Sequence, residues 1–267
     1  MARIISGSVL VALTVLAVMY ATPVYFLIGI GLIGTACLYE YFGLVRAMGV
    51  HVQPWFGYLA FWVLLIDFRY RSFPVLGTLG AVLIIAFLSA LWRPRRPVQD
   101  RAFALMAEVL GIVYFALFLY SAIPVRFDFG DETSLHWTLL LLIVIWAGDT
   151  AALAVGKTLG KTPFAPVLSP RKTYEGAIGG LLAGVGFAAA AQALFFPDLP
   201  LHHVIAVSVL LGIFGQLGDL AESMLKRAAA TKDSSHLIPG HGGALDRMDS
   251  LLFAFPVLYI YLSLLYV

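Results

Sequence analysis

Residues 135–156 read LHWTLLLLIVIWAGDTAALAVG and contain one charged residue, Asp149. The hydrocarbon core of a bilayer is about 30 Å thick and needs about 20 mostly apolar residues per helix. Backbone groups in hydrocarbon must be satisfied within the segment, and this run lacks the alternation of a membrane β-strand. The stretch therefore predicts a membrane-spanning α-helix.

The same length criterion predicts nine spans, of which the first, preceded by Arg3, is interpreted as an uncleaved span rather than a signal peptide. Besides 135–156, the predicted spans are 4–21, 23–43, 55–70, 73–92, 102–124, 176–197, 200–222 and 248–266. The chain is 61% hydrophobic and 12% charged, whereas soluble domains carry about a quarter charged residues. This composition excludes a soluble enzyme and a disordered chain. The single cysteine, Cys37, cannot form an internal disulfide, so a disulfide scaffold is excluded as well. The predicted fold class is an all-α polytopic membrane protein.

Lys and Arg residues predict the orientation, because cytoplasmic loops carry an excess of both. With the N-terminus inside and the C-terminus outside, only Arg69, Arg71 and Arg126 fall outside. The inside set is Arg3, Arg46, Arg93, Arg95, Arg96, Arg101, Lys157, Lys161, Arg171, Lys172, Lys226, Arg227, Lys232 and Arg247. The distribution predicts a cytoplasmic N-terminus.

Polar residues concentrate in the second half of the chain. We interpret 1–267 as one membrane domain, with a helical scaffold at 1–135 and a catalytic part at 136–267. The catalytic part contains two cytoplasmic loops, 157–175 and 223–249, where most of its charges lie. Function is expected at these loops.

Some glycine patterns predict helix packing rather than ligand binding. Residues Gly29–Gly34 match a dinucleotide-binding motif, but they lie inside an apolar span without a preceding strand. Gly176, Gly180 and Gly184 have the spacing that lets membrane helices approach closely. Two intramembrane carboxylates, Glu40 and Glu108, remain open: each has either a direct role or a role in packing or at a helix end.

A cluster of carboxylates begins at residues 218–227, GDLAESMLKR, and ends at 239–249, PGHGGALDRMD. On a helix, Asp219, Glu222 and Ser223 share one face, and Asp246 and Asp249 share a face of the next helix. Oxygen ligands of this kind suit Mg²⁺, which is held by a few carboxylates together with substrate phosphates. The cluster predicts a metal site where two helix ends converge.

The loop between these helices supplies positive charge and a flexible turn. Its cations are Lys226, Arg227, Lys232 and Arg247. The turn His241–Gly243 lets backbone N–H groups approach an anion. Carboxylates, cations and such a turn are typical of phosphoryl or nucleotidyl transfer.

A second cluster lies just before it. Asp149 is near the cytoplasmic end of its span, and the next loop contains Ser169, Arg171, Lys172 and Thr173. Cations and hydroxyls at a membrane surface suit a phosphate, from either a lipid or a nucleotide. The alternative is a helix cap formed by Thr173 or Ser169.

At these residues the sequence resembles a known family. Residues Ser223–Asp249 are similar to the signature of the phosphatidate cytidylyltransferase (CDP-diacylglycerol synthase) family, and Trp146–Gly176 resembles its second motif block. Two departures are Ala244, where a larger residue is usual, and Leu153, where Tyr is common. The first 135 residues match mainly in hydrophobicity.

The resemblance implies Mg²⁺-dependent transfer of the cytidylyl group of CTP to phosphatidate, giving CDP-diacylglycerol and pyrophosphate. A second cation is left open. The expected metal ligands are Asp219 and Asp246, with Glu222, Asp249 and Asp149 as further ligands or supports. The residues expected to bind triphosphate and stabilise pyrophosphate are Lys226, Arg227, Lys232 and Arg247. The remaining expected substrate contacts are Ser169, Arg171, Lys172, Thr173, Ser223, Asp233, His241, Gly242 and Gly243.

The expected partners are CTP, phosphatidate and the bilayer, with no nucleic acid; the glycine-rich helix faces are compatible with a homodimer. The expected location is a bacterial-type plasma membrane, with the site facing the cytoplasm. One alternative is a CTP-dependent enzyme acting on another lipid, such as a polyprenol kinase or an ether-lipid cytidylyltransferase. Another is an ion-coupled transporter, motivated by Asp149 and Glu108.

Overall fold

The chain is predominantly helical. The computed structural model describes residues 2–92, 96–238, 240 and 242–266, with side chains from residue 6 onward. The helices are α1 (Ala2–Tyr20), α2 (Pro23–Ala47), α3 (Pro54–Tyr70), α4 (Val75–Leu91), α5 (Val98–Tyr120), α6 (Ala122–Phe127), α7 (Asp131–Thr158), α8 (Tyr174–Phe195), α9 (Leu201–Ala228) and α10 (Leu245–Leu265). The strands are β1 (Pro163–Ala165) and β2 (Ser169–Thr173).

Every predicted span overlaps a helix, and the span 102–124 overlaps both α5 and α6. Within the described ranges, six segments are long and apolar enough to cross a membrane: α2, α5 continuing into α6, α7, α8, α9 and α10. Helices α1 and α4 are apolar but shorter, and α3 has only 17 residues. The predicted class of a polytopic helical membrane protein is confirmed.

A small antiparallel sheet interrupts the otherwise helical chain. β1 pairs with β2, placing Pro163 opposite Thr173 and Ala165 opposite Ser169. The prediction of a loop over 157–175 is wrong in part, because Pro163–Ala165 and Ser169–Thr173 form strands. Hydrophobic periodicity is a poor signal for such short polar strands, and the prolines at 163 and 170 also disfavour strand. The hairpin lies directly before α8, so it brings Lys172 and Thr173 to one end of the helices.

Helices α7 and α8 pack backbone against backbone. A Cβ atom added to Gly180 would lie 2.7 Å from the carbonyl oxygen of Gly148, and one on Gly184 would lie 3.1 Å from that of Val144. A Cβ on Gly176 would lie 2.8 Å from the carbonyl oxygen of Ala152. The packing interpretation of this glycine repeat is confirmed, since larger side chains would force the helices apart.

The motif Gly29–Gly34 also serves packing. A Cβ on Gly34 would lie 2.7 Å from Cδ1 of Leu119, and Gly31 lies against the indole ring of Trp62. These glycines allow α3 and α5 to approach α2. The rejection of a dinucleotide site is therefore supported by the contacts of the same residues.

Glu108, on α5, holds the start of another helix. Its side chain is fully buried, and its carboxylate accepts a hydrogen bond from the backbone N–H of Gln53, the residue that precedes α3. The first N–H groups of a helix have no partner within the helix, and a carboxylate there is favourable. For Glu108, the contact favours the helix-end interpretation over a direct role.

Candidate active site

Three carboxylates of α9 and α10 converge. Asp219, Glu222 and Asp249 each offer an oxygen atom, and these atoms lie within 4.8 Å of one another. Asp219 and Glu222 share a face of α9 because they are three residues apart. Gly218 permits the close approach of α10, since a Cβ there would contact the carbonyl oxygen of Asp249. The predicted convergence of the two helix ends is confirmed for these three residues.

Glu222 is the most deeply buried member of this group. Its side chain is 2% exposed, and one carboxylate oxygen accepts a hydrogen bond from Lys226. The other oxygen, Oε1, has no hydrogen-bond partner among the described residues. A buried oxygen without a donor is unfavourable. An oxygen-only donor set with one unpartnered atom fits a hard divalent cation.

Lys226 bridges two buried carboxylates. Its ammonium group contacts Glu222 and lies 2.6 Å from Oδ1 of Asp246, with 12% of the side chain exposed. It is four residues after Glu222 on α9, so both side chains lie on one helix face. The ammonium group therefore serves as an internal counter-ion between α9 and α10.

Asp246 contacts Lys226 and also accepts hydrogen bonds from the loop that precedes α10. Its Oδ2 atom accepts hydrogen bonds from the backbone N–H of Ser234 at 3.0 Å, the Ser234 hydroxyl at 2.8 Å and the backbone N–H of Gly243 at 2.8 Å. With both oxygens engaged, Asp246 stabilises the loop. Asp246 also lines the cavity described below, so its expected role as a metal ligand stays a prediction.

The glycine turn of the loop closes around Asp246. Gly242 has φ +76, and a Cβ there would lie 2.6 Å from Oδ2 of Asp246. Its carbonyl oxygen accepts a hydrogen bond from the backbone N–H of Ile238 at 2.8 Å. The backbone N–H of Gly243 donates to the carboxylate of Asp246 rather than to a bound anion. His241 lies outside the described residues.

Arg227 ties the two polar loops together. Its Nε donates to the carbonyl oxygen of Leu168, in the hairpin, and Nη1 donates to that of Thr231; each distance is 3.1 Å. Lys232 and Asp233 are exposed on the loop after α9. The predicted phosphate contacts of Arg227 and Lys232, and the predicted substrate contact of Asp233, remain predictions.

The second cluster meets the first across the hairpin. The Lys172 ammonium lies 2.7 Å from Oδ2 of Asp219, and the Ser223 hydroxyl donates to Oδ1 of Asp219 at 3.5 Å. The Thr173 hydroxyl accepts a hydrogen bond from the backbone N–H of Gly176 at 3.2 Å, which confirms the cap interpretation for this residue. Ser169 is half-buried at the start of β2.

A cavity of about 1260 Å³ opens over these groups. Its charged lining is Asp149, Lys157, Lys161, Arg171, Lys172, Asp219, Asp246, Arg247 and Asp249. Its apolar wall includes Leu10 and Val11 of α1, Ile33 of α2, and Trp146 and Leu153 of α7. Typical small-molecule sites measure about 300–1,000 Å³. The cavity therefore has room for a large ligand, with a charged end and an apolar side.

Sequence reasoning missed some contributors to this site. Lys157 and Lys161 served only as orientation signals, although both line the cavity. The wall formed by α1, and the contacts of Glu40 with the α9–α10 loop, join residues far apart in the chain. An intramembrane carboxylate is itself a signal, and that signal marks Glu40. Nothing in the local pattern identifies its partners.

Comparisons with known proteins agree with the site. A model described as "Cytidylyltransferase family" matches residues 1–265. The chain is 33% identical over 268 residues to the phosphatidate cytidylyltransferase of Bacillus subtilis strain 168, covering 98% of this chain and 97% of that protein. It is 35% identical to the phosphatidate cytidylyltransferase of Staphylococcus aureus strain COL, covering 82% and 78% of the two chains. It is 40% identical to that of Staphylococcus haemolyticus strain JCSC1435, covering 67% and 65%. The chain belongs to the cytidylyltransferase family.

Proposed function

We propose that the chain transfers the cytidylyl group of CTP to phosphatidate, giving CDP-diacylglycerol and pyrophosphate. The observation that carries the proposal is the cavity, which joins cations, a carboxylate cluster and an apolar wall. A nucleotide needs the charged groups, and a membrane lipid needs both kinds of surface. The names of the similar proteins point to the same pair of substrates.

We further propose nine spans, with the N-terminus and the active site on the cytoplasmic side of a bacterial-type plasma membrane. The distribution of the charged residues between the two ends of the helix bundle supports this orientation. Arg69 pairs with Asp128 at 3.3 Å, and Arg126 donates to the carbonyl oxygen of Val18, at the end away from the hairpin. The cation-rich loops lie at the hairpin end, as expected for cytoplasmic loops.

For the metal, the proposed ligands of Mg²⁺ are Asp219, Glu222 and Asp249. The unpartnered oxygen of Glu222 supports this choice, and Asp149 lines the cavity together with Asp219 and Asp249. Bound there, Mg²⁺ would supply positive charge to the phosphate oxygens. Asp246 is assigned to bracing the loop, and a second cation is not needed by these contacts.

In the proposed reaction, a phosphate oxygen of phosphatidate forms a bond to the α-phosphorus of CTP. The bond between that phosphorus and the bridging oxygen breaks, and pyrophosphate leaves with the electron pair. A phosphate monoester is ionised at neutral pH, so no strong base is required. Arg171, Lys172 and Arg247 line the cavity, where they bind phosphate oxygens and stabilise the charge that develops on the leaving group.

Arg247→Lys tests one of these cations. Arg247 is exposed in the cavity, and within the described residues its guanidinium has no ion pair or hydrogen bond, so this group is available for a phosphate. Because lysine cannot bind two oxygens in a fork, we expect kcat/KM for CTP to fall about tenfold or more. The matched control is Arg101→Lys, outside the cavity, which should leave kcat/KM unchanged. Equal values for Arg247→Lys and wild type would contradict the assignment.

The decisive experiment uses the purified full chain in mixed micelles with phosphatidate, Mg²⁺ and CTP labelled at the α-phosphorus. We expect label in the lipid fraction, and its loss with EDTA. Label that remains in water would contradict the proposed reaction. A parallel sample with γ-labelled CTP detects a lipid kinase, and replacing phosphatidate by a polyprenyl phosphate or an ether lipid tests the other substrates. Flux of solute into liposomes without nucleotide would indicate a transporter.

A homodimer remains a prediction. It rests on the family resemblance and on the glycine-rich helix faces, and the faces of α7 and α8 are already used within the chain. The mass of the detergent-solubilised protein, measured by light scattering, tests it. A monomer mass would remove the prediction.

A further inference from the structure

We propose that Glu40, on α2, is a positioning residue that fixes the α9–α10 loop and the start of α10. The inference rests on the proposed function, because its consequence is the placement of groups at the active site. Glu40 belongs to the apolar half of the chain and is separated by 205 positions from Leu245, one of its partners. It does not line the cavity, so it acts through α10.

Glu40 is 1% exposed, and its carboxylate oxygens contact four donor groups. Oε1 accepts from the Ser235 hydroxyl at 2.6 Å and the backbone N–H of Ala244 at 2.9 Å. Oε2 accepts from the backbone N–H of Leu245 at 2.8 Å and lies 2.9 Å from the Ser234 hydroxyl, whose single proton it shares with Oδ2 of Asp246. Two donors are loop side chains, and two are the first amides of α10.

These contacts supply a cap that α10 does not have locally. The N-cap residue is Ala244, which has no side-chain acceptor. The first amides of a helix need outside acceptors, and a negative charge there is favoured by the helix dipole. Glu40 therefore caps α10 from a different helix, as Glu108 does for α3.

The packing around Glu40 fixes the position of the loop. A Cβ on Gly243 would contact both the Glu40 carboxylate and the Ser234 hydroxyl. The same hydroxyl lies 2.8 Å from Oδ2 of Asp246, which pairs with Lys226. A chain of polar contacts thus runs from Glu40 to the counter-ion of the carboxylate cluster.

The placement of α10 sets the geometry of the site. Its first turns carry Arg247 and Asp249, and Asp249 must meet Asp219 and Glu222 of α9. A displacement of about 1 Å in a reacting geometry can lower a rate about 100-fold. Loss of the Glu40 contacts would permit such a displacement without removing any group that touches substrate.

The test compares Glu40→Gln with the matched control Glu108→Gln, in which another buried glutamate that caps a helix is changed. In Glu40→Gln, amide hydrogen exchange in residues 242–247 should become about tenfold faster or more, since hydrogen bonds to a charged acceptor are lost. At saturating substrates, kcat should fall about 100-fold. Affinity for Mn²⁺, measured by electron paramagnetic resonance, should weaken. Glu108→Gln should change none of these three quantities.

The inference is overturned if exchange in residues 242–247 is unchanged, or if exchange rises while kcat and Mn²⁺ affinity stay at wild-type values. If Glu40→Gln does not fold, the double variant Ser234→Ala/Ser235→Ala removes two of the four donors. It must then show the same pattern, and a wild-type profile would equally reject the role. If the wild-type chain makes no CDP-diacylglycerol, only the proposed function is rejected. The positioning role of Glu40 is then still tested by hydrogen exchange and by Mn²⁺ affinity, which do not depend on product formation.

Discussion

Asp249→Asn is expected to lower the rate of CDP-diacylglycerol formation by at least about 100- to 1,000-fold, the range seen when one preorganised electrostatic group is removed from an active site. Asp249 lies with Asp219 and Glu222 in the proposed Mg²⁺ site, and asparagine keeps its size while removing the charge. The measurement is initial rate at saturating CTP and phosphatidate, together with Mn²⁺ affinity.

The matched control for this prediction is Asp67→Asn. Asp67 is also a buried aspartate, but it accepts hydrogen bonds from Thr78 at 2.7 Å and from the backbone N–H of Phe73 at 3.0 Å, in the connection between α3 and α4. It should reduce stability without changing Mn²⁺ affinity. An active Asp249→Asn enzyme that still loses activity with EDTA would place the metal elsewhere.

Lys226→Met is expected to destabilise the fold by about 3–5 kcal/mol and to abolish activity. The ammonium group contacts both Glu222 and Asp246, and its removal leaves two buried carboxylates without the cation that they share. Breaking a buried ion pair from one side has about that cost in free energy of unfolding. An unfolding titration with SDS in mixed micelles measures it.

A double variant separates charge from packing at Lys226. Adding Asp246→Asn to Lys226→Met removes one of the two uncompensated charges, so part of the lost stability should return while activity does not. Lys157→Met, at an exposed position, should leave the free energy of unfolding close to wild type. Equal stability of Lys226→Met and Lys157→Met would show that the buried contacts contribute little.

The helices and the central carboxylates were predictable because their signals are local. Each span is a continuous apolar run, and the spacing of Asp219 and Glu222 places both on one helix face. Local spacing does not say whether a charged group faces substrate or another charged group. From their residue types, Lys226 was expected to bind triphosphate and Asp246 to bind the metal, yet in the structure the two side chains form an ion pair.

Contacts between distant segments lie beyond such reasoning. The carboxylate of Glu40 is recognisable as unusual in an apolar span, but its partner Ala244 is 204 positions away. The hairpin was missed because three to five residues are too few for a periodic pattern. In both cases the information is carried by tertiary packing rather than by the sequence around the residue.

The wall of the cavity formed by α1 and the cap provided by Glu40 mean that the first 135 residues are more than a membrane anchor. A fragment of residues 136–267 would carry the proposed metal ligands but lack the α1 side of the cavity and the acceptor for the first amides of α10. Each half thus supplies groups that the proposed site needs and the other half lacks. Produced as separate polypeptides, they should restore synthesis only when they assemble together in the same membrane.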